Sequence, residues 1–216
     1  MTLEMPRLIG GAQIECIVPL GYQPILDFTV RDTHCYESQG IISHNCGKTT
    51  AGAYETTLHL TGLYPEWWQG RRFECAIEAW AAGDTSLTTR DIIQTELLGR
   101  FGAFGTGMLP GECIQRWTRR AGNVIGAVDS VFVTHVSGDT SVLGFKSYAE
   151  GRESFQGTSK HLAWIDEEPP LEVYTELLLR TMVVPNDPRG GICMLTFTPL
   201  QGWSEVVDTF LGDKDI

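Results

Sequence analysis

Along most of the chain, short apolar runs alternate with stretches whose apolar residues recur every three to four positions. That is the pattern of strands alternating with amphipathic helices. Residues 14–20, 24–30 and 40–43 read as short strands, the first two separated by Gly21-Tyr22-Gln23. Residues 49–63 have the length and spacing of a helix, with Ala51, Tyr54 and Leu58 on one side. A Pro-broken aromatic loop follows over residues 63–73. Residues 75–82 read as a buried strand closing on Gly83-Asp84, and residues 85–98 as a helix that can bury Leu87, Ile92, Ile93, Leu97 and Leu98. Residues 99–123 are Gly-rich and loop-like. Strands are predicted at 130–136 and 141–148 around the turn Ser137-Gly138-Asp139-Thr140, and at 161–166 and 191–197; 171–182 is an amphipathic helix. Beyond residue 46 this order predicts a parallel-rich α/β sheet. Three strands in the first 45 residues make a marginal core alone, which fits a fragment completed by a partner.

Composition narrows the classes. Apolar content of 42% with 20% charged residues is that of an ordinary globular chain. No run approaches the eighteen or so apolar residues of a membrane span, and the N-terminus lacks a signal-peptide core, so no membrane partner is expected. The cysteines at 16, 35, 46, 75, 113 and 193 form no CxxC pair, which predicts neither a zinc site nor a disulfide framework. A reducing compartment, the cytoplasm, is the expected location. The net charge of −11 argues against a self-sufficient nucleic-acid binder. Dividing the chain does not change this: residues 1–45 hold five acids and two bases, and the rest keeps a net of −8.

Chemistry concentrates where the two halves meet, in Ile41-Ile42-Ser43-His44-Asn45-Cys46-Gly47-Lys48-Thr49-Thr50. Gly47, Lys48, Thr49 and Thr50 read as the end of a phosphate-binding loop for ATP. Backbone N–H groups cradle phosphate there, the lysine reaches the β/γ-phosphates, and the Thr49 hydroxyl takes Mg²⁺. The glycine that should stand five positions before Gly47 is Ile42, so the loop is half present. Downstream, Trp164-Ile165-Asp166-Glu167-Glu168 is an apolar strand ending in acids. Asp166 is the predicted Mg²⁺ residue and Glu167 the predicted base that polarises the attacking water. The strand that should lead into the loop is missing from the expected sheet.

On the other side of the junction, the Asn45 amide can attack its own carbonyl. His44 can protonate the departing nitrogen, and the Cys46 thiol is a ready nucleophile. The run before it holds a strand with Asp27, a Thr29-Val30 step, His34, Tyr36, a Gly40 turn and two aliphatics before His44-Asn45. Over residues 14–46 it resembles the C-terminal end of inteins. The resemblance implies self-splicing with Asn45, His44, Cys46, His34 and Asp27 as its residues. An initiator Met so close to Asn45 suggests a split intein that splices in trans with an N-terminal half carrying the N-extein.

From about residue 46 to 210 a second resemblance holds. Cys46-Gly47-Lys48-Thr49-Thr50, Tyr64-Pro65-Glu66-Trp67-Trp68, Phe155-Gln156-Gly157, Trp164 to Pro169 and Leu195-Thr196-Phe197-Thr198-Pro199 look like the large terminase subunit of tailed bacteriophages. That resemblance implies the ATPase half of a DNA-packaging motor, with Thr196 and Thr198 coupling hydrolysis to movement. Implied partners are double-stranded phage DNA, a small terminase subunit, a portal protein and further copies in a homo-oligomer. A nuclease domain would follow. Arg152 is a candidate arginine finger, although a surface arginine is the simpler reading. The expected fold is therefore an α/β P-loop NTPase sheet of the RecA-like type, lacking its first strand, over residues 46–216. An all-β intein (Hint-type) fragment, residues 1–45, precedes it. The alternatives are a P-loop helicase or other translocase interrupted by the same element, and an inactive truncated gene fragment.

Overall fold

The computed structural model describes residues 35–38, 41–44, 47–122, 124–185, 187–199 and 204–211. The strands read at 14–20 and 24–30, and Asp27, His34, Asn45 and Cys46, lie outside the described residues. The chain divides into two compact units, Met1–Gly47 and Lys48–Ile216.

In the first unit β1 (Cys35–Ser38) and β2 (Ile41–His44) pair antiparallel, with Cys35 opposite His44 and Ser38 opposite Ile41. Ile42 is thus a strand residue opposite Glu37 rather than part of a phosphate loop.

The second unit opens with α1 (Lys48–Thr61). Gly62 ends it at φ +73°, its N–H returning to the Leu58 carbonyl at 2.8 Å, the left-handed cap that glycine adopts without a Cβ clash. Among the described residues six strands follow: β3 (Glu78–Gly83), β4 (Ile114–Arg119), β5 (Val128–Thr134), β6 (Thr140–Ser147), β7 (Leu162–Asp166) and β8 (Ile192–Thr196). They form one sheet in the order β4-β5-β6-β3-β7-β8. β6, β3, β7 and β8 run parallel, and β5 and β4 extend the sheet antiparallel.

Period-2 alternation divides the core between the two faces of the sheet. Ala79, Ala81, Leu162 and Trp164 join Ala53 and Leu60 of α1 on one side. Trp80, Ala82, Ala163 and Ile165 join Val173 and Leu177 of α4 (Leu171–Met182) on the other. A parallel sheet covered on both faces is why its inner strands read as continuous apolar runs.

Three expectations are corrected and one element is added. The strand read at 75–82 begins only at Glu78, and Cys75 is exposed. The helix read at 85–98 is α2 (Ser86–Thr88), a π-helical turn (Thr89–Gln94) and α3 (Thr95–Leu98). The wider π turn changes the phase of the apolar stripe, and Leu87 and Ile92 stay exposed while Ile93, Leu97 and Leu98 are buried. The loop read at 99–123 contains β4, whose Gln115, Arg116 and Arg119 leave no apolar run to detect. A last helix, α5 (Glu205–Leu211), was not foreseen. Among the described residues no helix is long and apolar enough to cross a membrane.

Candidate nucleotide site

The parallel strands β3, β7 and β8 end at one edge of the sheet, with Ala82 beside Ile165 and Asp166 beside Thr196. In open α/β sheets ligands bind outside these carboxyl ends. The first residues of α1 reach the same edge. The Thr49 hydroxyl lies 3.1 Å from both Asp166 carboxylate oxygens, although the residues are 117 positions apart.

α1 packs against β7 closely because position 52 is glycine. A Cβ there would stand 2.4 Å from the Trp164 Nε1. The Trp164 indole, wholly buried, donates to the Thr196 hydroxyl at 2.7 Å. With its oxygen accepting that bond, the Thr196 hydroxyl gives its own proton to Asp166 Oδ1 at 2.7 Å. Trp164, Thr196, Asp166 and Thr49 thus form one hydrogen-bonded chain across α1, β7 and β8.

Asp166 is 4% exposed. Burial pushes its carboxyl above the usual carboxylate range, against the hydrogen bonds from Thr196 and Thr49 and the charge of Lys48. A buried carboxylate beside a threonine hydroxyl is a hard-oxygen pair that suits Mg²⁺. That ion is commonly held by one or two protein oxygens plus substrate phosphates. No cluster of three or more His, Cys, Asp or Glu occurs among the described residues.

Glu167 follows with φ +73°, the one non-glycine residue at positive φ among the described residues. That conformation costs about 1–3 kcal/mol and persists only when neighbours enforce it. Its N–H donates to the Thr196 carbonyl at 3.1 Å. Its side chain is exposed and lines a small recess with Asp84, Thr88 and Asp166. Its carboxyl is pushed up by partial burial first, then by the charges of Asp166 and Asp84.

Residues 40–215 match the sequence model of a family described as terminase large subunit, T4likevirus-type, N-terminal. The chain belongs to that family. The terminase large subunit of Salmonella phage P22 is 35% identical over 199 residues, covering 82% of this chain. The chain spans 39% of the length of that relative. The Thermus phage P74-26 large terminase ATPase domain is a partial structural neighbour, with a TM-score of 0.48 and 16% identity over 73% of this chain and 57% of its own.

Of the residues singled out in sequence as a terminase nucleotide site, Thr49, Asp166 and Thr196 are in direct contact, and Lys48 acts on Asp166 through its charge. Gly47 stands at φ +74° just before α1. Thr50 is exposed on α1, and Thr198 lies half-buried past the end of β8, away from any named strand. His44 is placed only as a backbone position of β2. Arg152 donates to Glu176 at 2.8 Å, and that carboxylate, 1% exposed, is also paired with Arg180. Sequence reading gave no role to Gly52 or Asp84, and Trp164 only motif membership. A glycine inside a helical pattern facing a tryptophan strand was the one available signal for the first.

A consequence can be measured on the chain itself. Thr196→Val leaves the buried Trp164 N–H without its acceptor and removes a donor from Asp166. The expected loss of stability is about 1–3 kcal/mol, the usual cost of a stranded buried polar group. Urea unfolding at neutral pH reads it, and an unchanged midpoint would show that the Trp164–Thr196–Asp166 chain carries no stability.

Proposed function

We propose that residues 46–216 are the ATPase part of a phage terminase large subunit, and that residues 1–45 are the C-terminal part of an intein. Splicing joins Cys46 to a preceding segment that carries the front of the phosphate loop. The observation that carries the ATPase reading is the buried Asp166 carboxylate shared by the Thr49 and Thr196 hydroxyls at the carboxyl edge of the sheet.

In this reading Gly47, Lys48, Thr49 and Thr50 hold the ATP phosphates, the first and last two through backbone N–H groups and Lys48 through its ammonium. Thr49 and Asp166 hold Mg²⁺, which supplies charge neutralisation at the phosphates when bound. Glu167 takes the proton of the attacking water, and its raised affinity for a proton suits that task. Thr196 links the metal carboxylate to β8, which gives it a physical route for coupling, with Thr198 following on the same segment. The work done is packaging of double-stranded phage DNA in the host cytoplasm. The partners are a small terminase subunit, a portal protein and further copies of the subunit in a homo-oligomeric ring.

The splicing step belongs to the other unit. The Asn45 side-chain amide attacks the Asn45 carbonyl and releases the Cys46 nitrogen, which His44 protonates. Before that step the Cys46 thiol takes the N-extein acyl group from a thioester or ester at the start of the intein, whose thiol or hydroxyl leaves. Afterwards the freed Cys46 amine attacks the Cys46 thioester, so that a peptide bond replaces it and the thiol is restored. His34 and Asp27 serve the same centre. What supports it is the run ending in His44-Asn45-Cys46, together with Ile42 where the loop requires glycine.

The unspliced chain is therefore expected to show no appreciable Mg²⁺-dependent ATP hydrolysis, whereas the joined protein turns over ATP in a Lys48-dependent manner. Phosphate release by the purified chain, abolished by Lys48→Ala, would overturn the need for splicing. Absence of turnover in the joined protein would overturn the ATPase reading.

A further inference from the structure

The left-handed turn at Glu167 needs a second support besides its N–H bond to Thr196. β6 ends at Ser147, and a single 3-10 turn (Tyr148–Glu150) follows. Tyr148 is 6% exposed, its ring packed with Trp80, Ala82, Phe155 and Ile165. Its hydroxyl lies 2.9 Å from the Asp166 carbonyl, 3.0 Å from the Ala82 carbonyl and 3.4 Å from the Glu167 carbonyl. A phenol has one proton, so three carbonyl oxygens at the ends of β3 and β7 converge on one donor. A core tyrosine needs only one acceptor. Here the acceptors include the carbonyls of both acids that the nucleotide reading singles out.

Regular continuation of β7 would alternate side chains and send Glu167 to the face opposite Asp166. The turn at positive φ instead brings Glu167 to the recess lined by Asp166, Asp84 and Thr88. The turn is gripped from two sides: at its N–H by the Thr196 carbonyl, and at its flanking carbonyls by Tyr148.

We propose that Tyr148 is a positioning residue, whose hydroxyl holds the Asp166–Glu167 turn in its left-handed conformation and so directs the Glu167 carboxylate into the recess. The catalytic consequence rests on Glu167 being the base; the conformational one does not. Tyr148→Phe tests both, since it keeps the ring and its packing and removes only the hydroxyl.

In the purified 216-residue chain, amide hydrogen exchange at Glu167 is expected to quicken at least tenfold in Tyr148→Phe, while the central β7 amides exchange as before. Unchanged exchange at Glu167, or a uniform rise across β7, would overturn the proposal whatever the enzyme does. In the joined, ATP-hydrolysing protein, kcat is expected to fall about tenfold or more, with KM for ATP within about twofold. Because Tyr148 acts through Glu167, Tyr148→Phe added to Glu167→Gln should lower kcat no further. A further tenfold loss in the double variant, or a rise in KM with kcat unchanged, would overturn the positioning role. If Glu167→Gln alone leaves turnover intact, the assignment of the base fails, and the exchange result still decides whether Tyr148 holds the turn.

Discussion

Glu167→Gln, in the protein with a complete phosphate loop, is expected to cut ATP turnover by roughly 10²–10⁴ while leaving ATP binding in place. That range is the usual worth of a general base. The amide keeps the shape of the carboxylate and removes one negative charge beside the phosphates, so affinity has no reason to fall. The neighbouring acid is the control. Glu168 is half-buried before the buried Pro169, and its Oε2 has no hydrogen-bond partner among the described residues. Glu167 is exposed and is one of the residues lining the recess that Asp166 also lines. Glu168→Gln is accordingly expected to cost much less. Single-turnover hydrolysis with nucleotide binding measured in parallel separates the two. A crippled Glu168→Gln beside a mild Glu167→Gln would place the base one residue later.

The second large effect is on packing. Gly52→Ala puts a methyl group 2.4 Å from Trp164 Nε1 and 2.5 Å from its Cε2. The indole cannot swing aside, because it is wholly buried and bonded to Thr196. α1 must therefore lift from β7. Overpacking of this kind costs about 1–3 kcal/mol, more than the better helix propensity of alanine returns. The lift also draws Thr49 away from Asp166, so weakened Mg²⁺-dependent nucleotide binding should accompany the lower melting temperature. A variant as stable as the parent would mean that α1 does not sit on Trp164 as described.

The parts of this architecture carried by burial or by motif chemistry were readable in advance. β7 is five apolar or acid-terminated residues buried throughout, and α4 follows the amphipathic stripe of residues 171–182. Thr49 and Asp166 could be paired across 117 residues because a phosphate loop and an acid-ended strand serve one ion. β4 could not be read, since its residues are half-exposed or exposed and pairing with β5 alone holds them extended. The phase change at the π turn left Leu87 and Ile92 outside the core, which no local pattern announces. Glu167's positive φ and the convergence of carbonyls on Tyr148 arise only when β3, β6 and β7 are side by side, and a linear chain carries no mark of either.

The central claim is that the phosphate loop is completed across the Asn45–Cys46 junction, and the junction peptide tests it most directly. Trypsin cuts after Lys48, and in the unspliced chain the preceding site is Arg31, so that chain yields residues 32–48 as one peptide. Mass spectrometry of the protein from phage-infected cells is predicted to find a different peptide ending in Cys46-Gly47-Lys48. Its upstream residues should be foreign to this chain and include a glycine five positions before Gly47. Recovery of the 32–48 peptide alone, from cells in which ATP hydrolysis by this subunit is intact, would contradict the account.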